Sequence, residues 1–128
     1  MGIIGDHKNR KYGNKKYEFN GVKFDSKLEL FFYNRLMELG IEFEFQIPIT
    51  LQEKFRFKNE AIREIGMRLD FKVFRNDKIY MVDTKGFATS DAKIKYKMLK
   101  YKEKDKPEVE ILWLKNQKQV NEFLTKIY

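Results

Sequence analysis

Apolar residues first recur at helical spacing between Ser26 and Leu39, where Leu28, Phe32, Leu36 and Leu39 share one face with Phe31 and Arg35 beside them. Asp25 or Ser26 supplies an N-cap and Gly40 a stop, so the pattern predicts a helix over 26–39. The period then changes to two. Ile41, Phe43, Phe45, Ile47 and Ile49 alternate with mostly polar residues, which predicts a strand over 41–51, with Pro48 marking an edge or a strand end. Residues 52–60 read as a polar connection. Two β runs follow, 61–75 and 78–85, joined by Asn76-Asp77, a pair suited to a tight hairpin. A second helix is predicted over 89–101 with Ile94, Met98 and Tyr101 on one face, and a strand over 109–114 after the break at Pro107. The last helix, 118–127, turns Val120, Phe123, Leu124 and Ile127 inward. Ahead of all these, 17–24 suggests a short strand or turn around Asn20-Gly21. The main order is α-β-β-β-α-β with a final helix. The expected class is α/β (α+β), a small mixed sheet flanked by helices.

Length and composition narrow the function. The 128 residues allow one domain with one modest core. We expect a basic arm over 1–16 and a single domain over 17–128. No apolar run approaches the ~18–20 residues that cross a bilayer. The first residues also lack the apolar core of a secretory signal, so an intracellular, membrane-free setting is expected. There is no cysteine, which excludes disulfides and cysteine-ligated metals. The one histidine, His7, falls in the arm, which argues against His-rich metal sites and a Ser-His-Asp triad. The net charge of +8 suits a polyanionic partner, because lysine and arginine displace condensed counterions from phosphates.

The hairpin register carries the chemistry. If Asn76-Asp77 is a two-residue loop, Arg75 pairs with Lys78, Phe74 with Ile79, Lys72 with Met81 and Asp70 with Asp83. Directly opposed Cβ atoms lie ~4.5–5.5 Å apart, and facing like charges destabilise a sheet. A divalent cation would reverse that sign, and hard oxygen ligands suit Mg²⁺. Lys85, two residues after Asp83, points to the same face, and Lys72 can also reach it. Leu69, Phe71, Val73, Tyr80 and Val82 are expected to form the apolar face opposite. The alternative is a surface patch in which Asp and Lys neutralise one another. Glu29 borders the apolar stripe of the first helix and is a further acid candidate. Its competing role is local: Ser26-x-x-Glu29 fits a capping box.

Glu29 on a helix, Asp70 on a strand and Asp83-Thr84-Lys85 on the next strand, in an α-β-β-β-α-β order, resemble the PD-(D/E)XK, or restriction-endonuclease-like, nuclease superfamily. Leu69 stands where the superfamily's name has proline. Two stretches, Phe24-Asp25-Ser26-Lys27-Leu28-Glu29 and Val82-Asp83-Thr84-Lys85-Gly86, add to the likeness, together with Gln46, Leu69-Asp70-Phe71 and Ser90-Asp91. They are similar to small phage nucleases and to the phage endonuclease I family that resolves four-way DNA junctions. The resemblance implies that Asp70, Asp83 and the Thr84 carbonyl bind Mg²⁺, with Mn²⁺ able to substitute. Glu29 would bind the metal directly, through water or at a second ion. Lys85 would orient the attacking water, giving a 5′-phosphate and a 3′-hydroxyl. It further implies a phage- or prophage-encoded homodimer acting on branched DNA in a bacterial cytoplasm. A restriction-type or mismatch nicking enzyme is the enzymatic alternative, and a non-catalytic nucleic-acid-binding module is the alternative of a different class.

Two basic surfaces are candidates for DNA. Lys93, Lys97, Lys100 and Lys104 form one stripe on the second helix, and Lys8, Arg10, Lys11, Lys15 and Lys16 lie in the arm. A solvated helix face is the bland counterpart of the stripe.

Overall fold

The computed structural model describes residues 17–85 and 89–128. A small hairpin, β1 (Tyr17–Phe19) and β2 (Val22–Phe24), turns at Asn20-Gly21, both with positive φ. Then come α1 (Lys27–Leu39), β3 (Glu42–Gln52), a second small hairpin of β4 (Phe55–Phe57) and β5 (Glu60–Ile62), β6 (Ile65–Arg75), β7 (Lys78–Thr84), α2 (Ser90–Glu103), β8 (Val109–Leu114) and α3 (Gln117–Ile127). The protein is mixed α+β. Its four-stranded sheet runs β3-β6-β7-β8, antiparallel except for the parallel pair β7–β8. Among the described residues no helix is long and apolar enough to cross a membrane.

The local signals act as the sequence predicts. Ser26 caps α1 and Gly40 ends it at φ 67. Asn76 and Asp77 take φ 52 and 63, the left-handed pair that a two-residue hairpin requires. The resulting register pairs Arg75 with Lys78, Phe74 with Ile79 and Lys72 with Met81.

Two apolar layers sandwich the sheet. One joins Phe32 and Leu36 of α1 with Val120, Phe123 and Leu124 of α3, against Phe71, Val73 and Val82. The other joins Leu99 of α2 with Leu69 and Met81, backed by Ile47, Ile49 and Ile111. At ~1.5–3 kcal/mol for each large apolar side chain buried, these layers are what hold the helices to the sheet.

Three expectations are corrected. Residues 52–60 and 61–75 do not form a connection and one strand, because Phe55–Phe57 and Glu60–Ile62 make their own hairpin, with Lys58 at φ 54 in its turn. Alternation inside three-residue strands is too short to register as a period. On α2, Ile94 and Tyr101 are 57% and 74% exposed, and the buried residues are Tyr96 and Leu99. Lysines crowd this helix so densely that its weak apolar pattern misplaces the inward face. Finally, Leu69 packs with Met81 and Leu99 rather than beside Phe71 and Val73. On β3, likewise, Phe45 belongs to the first layer and Ile47 to the second. Both strands therefore change the layer they feed at one point, where Gln46 at φ 54 stands between the pairs Phe45–Phe71 and Ile47–Leu69. Asp70 occupies that switch.

Candidate active site

Phe32 on α1 and Phe71 on β6 meet edge to face with ring centroids 4.7 Å apart. This packing brings the acids together. Glu29 lies one helical turn before Phe32, on the same face, and Asp70 immediately precedes Phe71. Glu29, Asp70, Asp83 and Thr84 are all buried, at 2–3% exposure.

Glu29 divides its two oxygens between the two roles proposed for it. Its N–H donates to Ser26 Oγ at 3.1 Å, and its Oε1 accepts from the Asp25 N–H at 2.7 Å. This is a capping box whose return bond is displaced by one residue, from Ser26 to Asp25. Oε2 is buried and accepts no hydrogen bond. It faces Nη2 of Arg68 at 3.5 Å.

The pairing ladder of β6 with β7 runs to Phe71–Val82, and carboxylates take over beyond it. Asp83 Oδ1 accepts from the Asp70 N–H at 3.1 Å. Asp70 Oδ2 accepts from the Thr84 N–H at 2.9 Å and from the Thr84 hydroxyl at 3.1 Å. The two acids thus stay adjacent because each carboxylate satisfies backbone the strand switch would orphan. Asp70 Oδ1 remains, 3.7 Å from Arg68 Nη2. Arg68 also pairs with Asp25, so a single guanidinium serves three acids.

A cleft of about 590 Å³ opens over these groups, lined in part by Asp25, Glu29, Arg68, Asp70, Thr84, Lys85 and Lys115. It lies where the amino-terminal ends of α1 and α2 meet the carboxyl ends of the parallel strands β7 and β8. This is the usual place for a ligand site beside parallel strands. Asp83 is not among the lining residues. Lys85 is exposed, and its carbonyl accepts from Trp113 Nε1 at 2.9 Å. Trp113 stacks on Tyr96 at 4.9 Å, and the Tyr96 hydroxyl donates to the Leu112 carbonyl at 2.6 Å. Lys85, next after β7, is pinned beside the acids by that stack.

Burial pushes the Glu29 carboxyl up to about 7, opposed by the Asp25 N–H and reinforced by the charge of Asp70. Burial also pushes Asp83 up to about 6; Asp70 adds to the rise, while the Asp70 N–H and the Lys85 ammonium oppose it. Acids raised by burial beside a cationic partner in a cleft are the pattern of a functional site. The donors are all hard oxygens, and one of them, Glu29 Oε2, is buried without a hydrogen bond, so the set fits a hard divalent cation. Among the described residues no three acidic side chains converge closely enough to hold an ion as they now stand. Arg68 holds the cationic position between Glu29 Oε2 and Asp70 Oδ1 instead.

Glu29, Asp70, Asp83, Thr84 and Lys85 are thus brought together. Lys72 is not; its Nζ lies 5.9 Å from the centre of the Phe74 ring. Lys93, Lys97, Lys100 and Lys104 are exposed on α2 outside the lining of the cleft, with Lys104 paired to Asp105 at 3.0 Å. Lys8, Arg10, Lys11, Lys15 and Lys16 lie outside the described residues. Sequence reasoning missed Arg68 and Lys115. Arg68 is two residues before Asp70 on the same strand, a signal that was present. Lys115 follows from the parallel register, since Thr84 pairs with Leu114 and the next step sets Lys85 beside Lys115.

No curated protein and no solved structure matches the chain. A family model does, over residues 9–122, a span that holds every acid of the cleft. The chain belongs to the family described as Protein of unknown function (DUF1064).

Proposed function

We propose that this protein is a Mg²⁺-dependent DNA endonuclease of the PD-(D/E)XK type. The observation that carries the reading is the burial of Glu29 and Asp70 at 2% exposure in the lining of a cleft, with buried Asp83 bonded to the Asp70 N–H beside them and Lys85 at the cleft edge. Burying several carboxylates costs stability unless a cation or hydrogen bonds compensate. A small fold that needed only packing would place apolar residues there. The order of the elements around the main sheet, α-β-β-β-α-β with a final helix, agrees with the core that the resemblance implies.

In this reading Glu29, Asp70, Asp83 and the Thr84 carbonyl hold the cation. When bound, it polarises a phosphoryl oxygen and acidifies its water. Lys85 neutralises phosphate charge at the cleft edge and orients the water. Lys115 and the basic side of α2 attract the backbone of the substrate. Branched DNA, the four-way junction in particular, is the proposed substrate, and a homodimer the proposed assembly. One assay tests the enzyme reading: plasmid and branched DNA incubated with and without Mg²⁺. Mg²⁺-dependent nicking that is lost in Asp70→Asn supports it, and intact DNA under both conditions overturns it.

One observation favours a second reading, a nucleic-acid-binding module without catalysis. Arg68 already neutralises the acids in place of a metal. In that case DNA binding would be indifferent to Mg²⁺ and no strand would be cut.

A further inference from the structure

The β4–β5 hairpin follows the β3–β6 pair as a separate two-stranded sheet, joined to it by two residues on each side, Glu53-Lys54 and Arg63-Glu64. Its charges are sorted by face. In its register Phe55 pairs with Ile62, Arg56 with Ala61 and Phe57 with Glu60. Continued one residue beyond the strands, the same register would set Lys54 opposite Arg63. Side chains alternate between faces along a strand. One face therefore gathers Lys54, Arg56 and Arg63 around Ala61, with Lys58 in the turn beside it. Every acid of the segment, Glu53, Glu60 and Glu64, falls with Phe55 and Phe57 on the other face. All four cations are exposed.

Like charges set across a ribbon repel, and a two-stranded hairpin has little stability to spare. Among the described residues no acid neutralises the cationic face: Arg56 Nη2 donates to the Asn59 carbonyl at 2.9 Å, and Lys58 Nζ lies 5.4 Å from the centre of the Phe57 ring. A polyanion would neutralise it. The hairpin also stands within reach of whatever fills the cleft. From Arg63, the cation nearest the cleft along the chain, to Asp70 is seven residues, about 23 Å at ~3.3–3.4 Å per residue. Phosphates on one DNA strand recur about every 3.4 Å, so that span is about seven nucleotides.

We infer that the β4–β5 hairpin is a DNA-binding wing whose cationic face, carried by Lys54, Arg56 and Arg63, grips the phosphate backbone about seven nucleotides or more from the cleft. The inference rests on the nuclease reading only for where the DNA enters. The grip is sequence-independent, because these residues meet phosphate and not base edges. The acidic, aromatic face points away from the DNA.

The test is the salt dependence of binding to a linear 30-base-pair duplex without metal, for the full chain. Lys54→Gln/Arg56→Gln/Arg63→Gln should flatten the slope of log K against log salt by about 0.9 for each phosphate no longer neutralised, up to nearly three in all. Affinity at 0.1 M salt should fall at least about tenfold. Phe55→Ser/Phe57→Ser, on the opposite face, should leave the slope alone. A wild-type slope in the triple variant overturns the wing. So does a loss of binding in the Phe variant accompanied by a change of oligomeric state in sedimentation, which would make the hairpin an interface between copies of the chain. Because no metal is present, the outcome is independent of cleavage: a protein with a working wing and no nicking would fail the enzyme reading alone.

Discussion

Nη2 of Arg68 lies 3.5 Å from Oε2 of Glu29, a buried carboxylate oxygen that accepts no hydrogen bond. The same nitrogen is 3.7 Å from Asp70 Oδ1. In the proposed nuclease, a guanidinium and a divalent cation would compete for one place between these acids. Arg68→Gln should therefore lower the stability of the metal-free protein by roughly 1 kcal/mol or less, because the Arg68 side chain is 41% exposed and solvent screens its ion pairs. It should also tighten Mg²⁺ and Mn²⁺ binding, so that metal raises the melting temperature more than in wild type. Thermal unfolding with and without metal, beside titration calorimetry, measures both. Unchanged metal affinity would show that Arg68 is a bystander.

The raised acids make a pH prediction whose sign is fixed. Glu29 moves from 4.5 to about 7 on folding and Asp83 from 3.8 to about 6. A group raised in the folded state binds its proton more tightly there. Its stabilising contribution is complete below the unfolded value and is lost as pH rises through the folded one. The metal-free protein should thus lose stability between about pH 4 and pH 7 from these two groups. Other carboxylates titrate in the same range, so the clean quantity is a difference. Glu29→Gln keeps the capping oxygen and removes the titration; its advantage over wild type should grow from pH 5 to pH 8. A constant difference across that range would contradict the burial effect.

How much of this could be read in the sequence depends on the range of the interaction. Asn76-Asp77 sets the β6–β7 register locally, so the neighbourhood of Asp70 and Asp83 was legible from the hairpin alone. The cap at Ser26 was legible for the same reason. The layer switch at Gln46 and Asp70 was not, because alternation assumes a strand keeps its face. That error placed Leu69 wrongly; Arg68 shares the alternation of Asp70, but its role depends on Asp25 and Glu29 some forty residues away. The inward face of α2 was obscured too, since Tyr96 is fixed by Leu112 and Trp113 across the sheet rather than by helical period.

Asp70→Asn and Asp83→Asn should each abolish cleavage while sparing DNA binding. The replacement oxygen can still accept from the Thr84 N–H or the Asp70 N–H, so the strand junction survives. Lys85→Ala should cut turnover by about 100-fold or more, the scale of a positioned acid–base group, with metal affinity unchanged. Single-turnover kinetics beside calorimetry separates the two. Full activity in either aspartate variant removes the site assignment.

Lys93, Lys97 and Lys100 stand exposed along one side of α2. Replacing all three with Gln should weaken binding to every DNA sequence alike, with the salt slope reduced by ~0.9 per phosphate. Combined with the hairpin variant, the reductions should add, because the two surfaces lie on separate elements. Filter binding across a salt series measures this, and a slope unaffected by the α2 change would place the backbone elsewhere.

The last prediction concerns substrate and assembly. Resolving a four-way junction takes paired nicks in opposing strands, and the junction has near two-fold symmetry. At this cleft one chain carries a single set of Glu29, Asp70 and Asp83, so as a nuclease it would make one nick per engagement. A two-fold homodimer presents two such clefts, and two-fold assemblies are the commonest oligomers. Two hairpins and two α2 stripes would then face DNA arms related by the same axis. The expected result is a dimer in solution that prefers a four-way junction to linear duplex of equal length. Sedimentation gives the first quantity and competition binding the second. A monomer with equal affinity for both DNAs would remove the junction substrate and leave a general nickase.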